Sequence, residues 1–478
     1  MAQEKIIVRV ARMALEGEAV AKAEGSARVV FVAGGAPGDL CEVELVEAKS
    51  NFARARMLRL IEPGPERIAP PCPLHLAPDR PGPACGGCDW QHLDYAAQLK
   101  HKTSLVRDCV ERIAKLKDVP VADTLPSPQT WAYRNKVMVP FGTDPSGKII
   151  AGFYAAGSHQ IVDFPACPIQ PDLSTAIVLK VKEMARTLRW QPHDERRNQG
   201  WLRHVFVRVN SQGQALVAVV TRGPRLADER AFSDGLRAAF PQIVSLWHNV
   251  QPMKTSVILG PVWRRLWGAA ALAEKMGPYT FMASPEAFLQ VNTPAAALLY
   301  DAAAAFLADG GRRFSDLVDV YCGAGTLTVW LAKAADRVTG VEENRGAVRD
   351  AWKNAERNNA RNVRFIAGKA EAVLPRFFKE LPAGAAAVVD PPRAGLSVSV
   401  LRNLTHPSLR RIIYVSCNPA TFARDAGYLS HSGFSLRRVQ PVDLFPQTSH
   451  VELVGLFDRS GSKDLDRPRP SGPPAAGG

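Results

Sequence analysis

The chain has 478 residues, enough for two or three domains, and 46% of them are apolar while 22% are charged. No stretch approaches the roughly 18 uninterrupted apolar residues of a membrane span, and the opening MAQEKIIVRVARM lacks a signal-peptide core, so we expect a cytoplasmic protein. The net charge of +14 favours an anionic partner, most simply nucleic acid, although a generally basic enzyme would show the same excess.

Short strand patterns separated by glycine and proline turns fill residues 5–60. The apolar runs IIVRV, RVVFV and CEVELV are followed by FARARML, and GGAPGD supplies a tight turn between two of them. This spacing predicts a small β-barrel. Arg54, Arg56 and Arg59 would lie on its last strand, facing either a phosphate backbone or solvent.

The middle of the chain begins with a proline-rich segment, residues 62–84, in which we expect no regular structure. Apolar residues at helical spacing then predict a helix over 95–113, with Cys109 beside the apolar stripe as a buried residue. Residues 130–275 alternate strand-like and helical runs, which indicates an α+β domain.

Four of the eight cysteines form a pattern typical of a metal site. Cys85 and Cys88 are a C-x2-C pair, Cys72 precedes them, and Cys167 follows far downstream. Four thiolates suit zinc or a [4Fe–4S] cluster, and their spacing alone does not decide between the two.

From about residue 280 the pattern becomes strand, helix, strand, helix, which predicts a doubly wound parallel sheet. We expect its strands at 317–320, 337–341, 363–366, 386–389 and 412–415. The last 20 residues, ending RPRPSGPPAAGG, have the low-complexity composition of a disordered tail.

A cofactor pocket is indicated where the first two of these strands end. DVYCGAGT is a strand followed by a glycine turn, and Glu342 ends the next strand, where an acid can hold ribose hydroxyls. The turn lacks the third glycine of the dinucleotide fingerprint, so S-adenosylmethionine, which has a ribose but no phosphate, fits better than a dinucleotide. Cys322 in this turn is interpreted as a packing residue.

Two further strand ends carry reactive or rigid groups. VVDPPRAGL places two prolines after Asp390, and Arg393 follows them where amino-methylating enzymes have an aromatic residue. Cys417 ends the strand RIIYVS, Asn418-Pro419 turns the chain, and Thr421 is a candidate helix cap. The nearby thiol suggests that carbon, rather than an amine, is the acceptor.

These motifs, together with FLQVN (288–292) and DLFPQTSHVELV (443–454), resemble the bacterial RNA (uracil-5-)-methyltransferases in sequence and in order. Residues 5–60 look like a TRAM domain and the four cysteines look like the family's iron–sulfur site, a combination most similar to the 23S rRNA members. The resemblance implies the roles that follow. Cys417 would be the nucleophile and Glu452 the base. Gln290, Tyr321, Glu342 and Asp390 would bind S-adenosylmethionine, and Cys72, Cys85, Cys88 and Cys167 would hold a [4Fe–4S] cluster. The gap of twelve residues between Cys72 and Cys85 is longer than the family's usual five, and Lys369 stands where the family often has Asn or Asp, so we give Lys369 no role.

The sequence therefore predicts an α/β protein with a C-terminal Rossmann-like doubly wound methyltransferase sheet, an N-terminal TRAM- or OB-like barrel and a central α+β domain. We expect the barrel at 1–61, the central domain at 62–278, the methyltransferase domain at 279–458 and a disordered tail at 459–478. The expected activity is methylation of uracil C5 in RNA, with 23S rRNA as the substrate and no membrane or obligate protein partner. Cytosine-C5 methylation of RNA and a non-catalytic RNA-binding protein or chaperone are the alternatives.

Overall fold

The computed structural model describes residues 4–23, 28–78, 80, 82–194 and 197–461. The predicted tail lies almost wholly beyond residue 461 and so outside the described residues. No helix within those ranges is both long and apolar enough to cross a membrane.

Five strands close into the predicted barrel in the order β1-β2-β3-β5-β4, and β4 returns to pair with β1. Alternate residues of β4, Cys41, Val43 and Leu45, are buried inside it, as expected for a strand with one face on a core. The barrel's core is completed from outside, because Trp90, Leu93 and Leu105 belong to the same apolar cluster. The strands are β1 (Lys5–Met13), β2 (Ala19–Ala23), β3 (Val29–Ala33), β4 (Leu40–Ala48) and β5 (Phe52–Glu62).

The three arginines of β5 are each paired with a glutamate of the barrel. Arg54 contacts Glu18 at 3.4 Å, Arg56 contacts Glu44 at 2.6 Å, and Arg59 contacts Glu42 at 3.4 Å. Two of these glutamates lie on the neighbouring strand β4, directly across the ladder or nearly so. This face of the barrel is therefore an ion-pair ladder rather than a row of unpaired cations.

A second sheet of seven strands forms the centre of the molecule, in the order β12-β11-β10-β9-β6-β7-β8. Two helices cover one of its faces, and their apolar residues share a core with the alternate positions Val205, Val207, Val217 and Val219. The strands are β6 (Lys136–Thr143), β7 (Ile149–Tyr154), β8 (Ile161–Asp163), β9 (Leu202–Val209), β10 (Ala215–Thr221), β11 (Ile243–Val250) and β12 (Val262–Gly268), and the helices are α2 (Asp172–Thr187) and α3 (Glu229–Ala239). A hairpin of β13 (Leu272–Met276) and β14 (Tyr279–Ala283) leads to the C-terminal part of the chain.

The C-terminal sheet has the order β17-β16-β15-β18-β19-β21-β20. Its first five strands are parallel, as predicted, whereas β20 and β21 form an antiparallel hairpin against β19. The strands are β15 (Phe314–Val320), β16 (Ala335–Glu342), β17 (Val363–Ala367), β18 (Ala385–Val389), β19 (Leu409–Ser416), β20 (Phe434–Val442) and β21 (Glu452–Arg459). All five residues of β18 are buried, as is typical of a strand covered on both faces.

Helices cover both faces of this sheet. One apolar cluster contains residues of α4 (Thr293–Leu307), α5 (Thr326–Trp330) and α6 (Arg345–Arg357), and another contains residues of α7 (Ala370–Phe377), α8 (Val398–Leu404) and α9 (Pro419–His431). The second cluster also includes Val106, Cys109 and Val110 of α1 (Tyr95–Arg112). Helix α1, which lies in the range predicted for the central domain, thus packs on the C-terminal sheet, and Cys109 is buried there as expected.

Candidate active site

Cys417 lies directly after β19, at the carboxyl end of the C-terminal sheet, as the sequence predicted. Helix α9 begins two residues later, and its N-cap is Asn418 rather than Thr421, because the Asn418 side chain accepts hydrogen bonds from the backbone N–H groups of Ala420 and Thr421. Pro419 occupies the first helical position, where a missing N–H costs nothing. The thiol is therefore held at a fixed strand-to-helix turn.

Three acidic or thiol groups from three strand ends come together here. Burial, and after it the charges of Glu452 and Asp390, raises the pKa of the Cys417 thiol to about 11, while Arg393 opposes the shift. Glu452 starts β21 and is only 3% exposed. Burial first, and then Asp390, raises the pKa of Glu452 to about 8, and Arg393 lowers it. The structure thus brings together the predicted nucleophile and the predicted base.

Arg393 is the cation of this group, and its backbone and side chain are both held. Its carbonyl accepts hydrogen bonds from the Asn418 side chain at 3.3 Å and from the Thr421 hydroxyl at 3.2 Å. Its guanidinium lies 3.1 Å from the nearer ring nitrogen of His450. Asp390 is the second acid, and burial raises its pKa to about 6. Arg393 therefore supplies the positive charge beside two acids and a thiol, and burial raises the pKa of all three.

Two of the predicted cofactor residues, Tyr321 and Glu342, lie at the ends of β15 and β16. Tyr321 has a positive φ of 71°, and Gly323 follows with a φ of 53°. The Gly323 N–H donates to a carboxylate oxygen of Glu342 at 3.1 Å, and the Asn344 N–H donates to the other at 2.8 Å. A methyl group on Gly323 would meet nothing within 4 Å, so open space adjoins this turn.

Gly325 is required for a different reason. Its φ is 76°, and a methyl group there would lie 3.0 Å from Cβ of Ala351 and 3.1 Å from the ring of Phe365. The glycine lets α6 and β17 pack closely against the turn. Cys322 is buried, which agrees with its interpretation as a packing residue.

Gln290 and Lys369 lie on two other segments near the sheet. Gln290 is buried, and its carbonyl accepts a hydrogen bond from the Asn135 side chain at 3.2 Å, which ties it to the central sheet. Lys369 is exposed and only precedes α7, where its carbonyl accepts the N–H groups of Ala372 and Val373. No contact of the Lys369 side chain in the described chain indicates a role in the site.

The loop from Asp443 to His450, hereafter the base loop, leads directly to Glu452 and is fixed by side chains from distant segments. The Lys102 ammonium contacts Asp443 at 2.6 Å, and the Gln98 amide exchanges two hydrogen bonds with Gln447. Asp89 accepts hydrogen bonds from both the N–H and the hydroxyl of Ser449. Tyr133 and Asn292 donate to the carbonyls of Pro446 and Leu444, respectively.

Sequence reasoning missed these supporting residues. Gln98 and Lys102 are polar residues that interrupt the helical stripe of α1 and yet are fully buried. A buried lysine needs a buried partner. A polar residue on the apolar side of a predicted helix was therefore the available signal, but the partner in the base loop, 341 residues away, could not be inferred from it.

The four predicted metal ligands lie on three segments that meet beside the central sheet. The Cys85 N–H donates to Leu74, Gly86 donates to Tyr154 at the end of β7, and the carbonyl of Pro168 accepts from Ala132. Burial, followed by neighbouring thiols, raises the pKa of Cys85, with Cys167 and Cys72 as those neighbours. Even so, no three His, Cys, Asp or Glu side chains in the described ranges are arranged to hold a single metal ion. The structure brings the four thiols into one neighbourhood without itself showing a metal site.

Comparison with known proteins agrees with this architecture. Residues 271–460 match the family described as tRNA (Uracil-5-)-methyltransferase, and residues 4–58 match the TRAM domain. An uncharacterized RNA methyltransferase of Halalkalibacterium halodurans is 38% identical over 444 residues, covering 93% of this chain and 94% of the relative. Another, from Gloeobacter violaceus, is 36% identical and covers 96% of this chain and 97% of the relative.

One solved structure is similar over almost the whole chain. The Pyrococcus abyssi tRNA (uracil-54, C5)-methyltransferase in complex with S-adenosyl-L-homocysteine superposes with a TM-score of 0.73 at 27% identity. The match covers 94% of this chain and 100% of that one. The family match, the extended relatives and the fold agree with one another, and the chain therefore belongs to the uracil-5 family of RNA methyltransferases, in its TRAM-containing form.

Proposed function

We propose that the protein transfers a methyl group from S-adenosylmethionine to C5 of a uracil in RNA, with 23S rRNA as the substrate, through a covalent adduct of Cys417. The observation that carries this proposal is the placement of Cys417 beside Glu452, with Arg393 and Asp390 close enough to shift the pKa of both. A thiol and a carboxylate are the two groups that methylation of a pyrimidine carbon needs. The resemblance to the 23S rRNA members is the ground for the choice of RNA.

The chemistry assigns one step to each residue. C5 of uracil is a weak nucleophile, so the Cys417 thiolate first adds to C6, and the electrons of the C5–C6 double bond move towards C5 and O4. C5 then takes the methyl group as the bond between that methyl group and the cofactor's sulfonium sulfur breaks, and C5 becomes tetrahedral. Glu452 removes the C5 proton, the double bond forms again, and the C6–S bond breaks to release the thiolate.

The pKa shifts suit these roles. With a pKa of about 8, Glu452 is a stronger base than an ordinary glutamate and titrates near working pH. The Cys417 thiol, with a pKa of about 11, is protonated in the substrate-free site, so its proton must pass to uracil O4 or to a neighbouring carboxylate as the thiol adds. Arg393 favours the thiolate because its charge lowers the thiol pKa.

The ends of β15 and β16 fit S-adenosylmethionine. Open space adjoins Gly323, and both oxygens of Glu342 are oriented by backbone N–H groups, so the carboxylate can still accept from ribose hydroxyls through its remaining lone pairs. Gln290, Tyr321 and Asp390 complete the proposed cofactor set. When bound, the cofactor supplies an electrophilic methyl group. The protein must position that methyl group next to C5, and the target base must leave its stack to reach this position.

The four cysteines would suit zinc or a [4Fe–4S] cluster, since either can be held by four thiolates. The thiols of Cys85, Cys167 and Cys72 lie close enough to influence one another. The resemblance to the 23S rRNA members is the ground for choosing the cluster. We assign the cluster to Cys72, Cys85, Cys88 and Cys167, with the role of holding the central domain together or shaping the RNA-binding face.

We also keep the division into a barrel at 1–61, a central domain at 62–278 and a methyltransferase domain at 279–458 as part of the proposal. The RNA would be held by the first two domains and methylated by the third. The net positive charge supports an RNA partner, and cytosolic rRNA as the substrate implies a cytoplasmic enzyme.

The test of the catalytic roles uses two variants and methyl-labelled cofactor. Cys417→Ala should abolish both turnover and any covalent complex. Glu452→Gln keeps the shape of the side chain but removes the base, so addition and methyl transfer proceed while release stalls. The stalled protein–RNA adduct should survive denaturation, carry the label and run as a shifted band. Turnover of Glu452→Gln at the wild-type rate, or an equal adduct with Cys417→Ala, would show that these roles are wrong.

The test of the target and the cluster is separate. Mapping of 5-methyluridine in rRNA from a deletion strain should show one or more unmodified positions that the intact gene restores, whereas loss of 5-methylcytosine would assign the enzyme to cytosine. Anaerobically purified protein should be brown and contain about four irons, and Cys85→Ser should bleach it. A colourless protein with stoichiometric zinc would refute the cluster.

A further inference from the structure

The segment 251–268, which spans the loop before β12 and β12 itself, has an unusual composition for a surface segment. Its sequence, QPMKTSVILGPVWRRLWG, contains Lys254, Arg264 and Arg265 but no acidic residue. Strand β12 is at the edge of the central sheet, so the whole segment lies at one border of the molecule's middle part. Met253 is 57% exposed and Val257 is 59% exposed, so two apolar side chains of this loop face solvent.

An aromatic and cationic row lies on the sheet face opposite to α2 and α3. Trp247 of β11 is paired with Arg265 of β12, and the Arg265 guanidinium lies 5.9 Å from the Trp247 ring. Trp263 stands two residues before Arg265 on the same face, with its ring 6.2 Å from that of Trp247 in an edge-to-face arrangement. Arg264 points the other way, where it forms an ion pair with Glu229 of α3.

The loop that carries Met253, Lys254 and Val257 is held from beneath by buried polar side chains. The Asn249 amide donates to the carbonyl of Gly260 at 2.9 Å and accepts from its N–H at 2.7 Å. The Gln251 amide donates to the carbonyls of Val257 and Leu259. The Arg203 guanidinium donates to three more carbonyls, those of Gln251, Met253 and Thr255. The loop therefore presents its exposed apolar residues in a defined conformation.

The same sheet face extends to the active-site segment. Arg208 lies on this face two residues after Phe206 and donates to the carbonyls of Ser284 and Ala287, just before FLQVN. On β6, the Lys136 ammonium lies 5.1 Å from the centre of the Phe288 ring. Four strand spacings separate β6 from β12, a distance of roughly 19 Å at about 4.8 Å each. A strand of RNA whose target base enters the site can therefore reach the edge of the sheet.

The barrel does not supply the unpaired cations that phosphate contacts need on its β5 face, because Arg54, Arg56 and Arg59 are each paired with glutamate. In contrast, neither Lys254 nor Arg265 has an ion pair within the described part of the chain. Cations that are available to contact RNA phosphates therefore lie at the edge of the central sheet and not on the β5 face of the barrel.

We propose that Trp247, Met253, Lys254, Val257, Trp263 and Arg265, together called the β12 surface, bind single-stranded RNA next to the target nucleotide. The proposal rests on the proposed function for the presence of an RNA substrate, and it names the surface that holds the flanking strand. Bases stack on the tryptophan rings and against the exposed apolar residues, while Lys254 and Arg265 contact phosphates. The absence of acids over 251–268 suits a polyanion, and the neighbouring tryptophan rings suit its bases.

The test measures binding of the full chain to a labelled oligouridine of about 16 nucleotides, without cofactor and over a range of salt concentrations. The double variant Lys254→Glu/Arg265→Glu should bind more weakly. The slope of log affinity against log salt should fall by about 1.4, or about 0.7 for each of two lost phosphate contacts. Trp263→Ala should weaken binding by about fivefold or more through lost stacking, whereas Trp263→Phe should retain most of it.

The matched control is Lys180→Glu/Arg230→Glu, which reverses two charges on α2 and α3, on the other side of the same sheet. It should keep the wild-type salt slope, and S-adenosylmethionine affinity should be unchanged in all variants. An unchanged slope in Lys254→Glu/Arg265→Glu, or an equal loss in the control, would overturn the proposal. The proposal would also fail if Lys254→Glu/Arg265→Glu bound RNA as wild type does but no longer bound a protein partner. Because binding is read without turnover, these outcomes are independent of whether the proposed methylation of uracil is correct.

Discussion

The buried ion pair between Lys102 of α1 and Asp443 at the start of the base loop offers a quantitative test of how this loop is held. Both side chains are 0% exposed, and the ammonium nitrogen lies 2.6 Å from the carboxylate oxygen. The same ammonium donates to the carbonyl of Phe445 at 3.1 Å and lies 5.9 Å from the Trp90 ring. Burial lowers the pKa of Lys102, and Asp443 opposes that shift. The pair is thus stable as ions only because each member compensates the other.

We expect Lys102→Met to destabilise the protein by about 3–5 kcal/mol, because it keeps the volume of the side chain but leaves the Asp443 carboxylate buried without a counter-ion. At an effective dielectric constant of about 20, the attraction lost at 2.6 Å is about 6 kcal/mol, and the desolvation of lysine that is no longer required returns part of it. The double variant Lys102→Met/Asp443→Asn should recover most of the loss. The asparagine is uncharged and still accepts the hydrogen bond from the Phe445 N–H.

Denaturant unfolding of wild type, both single variants and the double variant gives the coupling energy directly. The adduct assay in parallel reports whether Glu452 remains in place, since the base loop leads to it. If Lys102→Met lies within about 1 kcal/mol of wild type, or if the double variant is as unstable as the sum of the two single variants, the ion pair is not what fixes the base loop.

The remaining predictions concern the base, the glycine turn and the barrel. Glu452 must be ionised to act, and its pKa is raised to about 8, so the rate of methylation under saturating substrate should rise with pH through about 8. A rate that is independent of pH from 6 to 9 would contradict its role as the base. Since the raised pKa means that the folded state holds this proton more tightly than the unfolded chain, stability should fall between the ordinary glutamate pKa and about pH 8, and Glu452→Gln should flatten that fall in denaturant titrations at several pH values. Gly325→Ala should lower the free energy of unfolding by about 1–3 kcal/mol more than Gly323→Ala does, because only a methyl group at Gly325 meets packed atoms. Gly323→Ala should chiefly weaken cofactor binding, as measured by calorimetry. Deletion of residues 1–60 should destabilise the remaining chain by about 4–6 kcal/mol, since it exposes Trp90, and an unchanged midpoint of unfolding would show that the barrel is not needed to cover this side chain.

The sequence itself determined much of the C-terminal sheet and the position of its functional groups. Its strands are short runs of β-branched and small apolar residues. Because parallel strands align their carboxyl ends, the sequence alone predicts Cys417, Asp390 and Glu342 at one edge of the sheet. The barrel could be predicted for a similar reason, because alternation along β4 and β5 specifies one buried face. Local pattern is sufficient wherever burial follows a period of two or a continuous run.

What only the tertiary structure decided concerns contacts between residues far apart in the chain. Residue type makes Thr421 a candidate helix cap, but Asn418 is the N-cap because its side chain reaches the first free N–H groups of α9. The β5 arginines were open to two interpretations until the register with β4 paired them with glutamates. The periodicity of α1 predicts a helix but does not say that its buried lysine meets Asp443 or that the helix packs on the C-terminal sheet. These contacts depend on the long-range register of strands and on charge pairing in a low-dielectric interior. Neither leaves a periodic pattern in the sequence, because the partner of each residue is set by the folded chain and not by adjacent residues in the sequence.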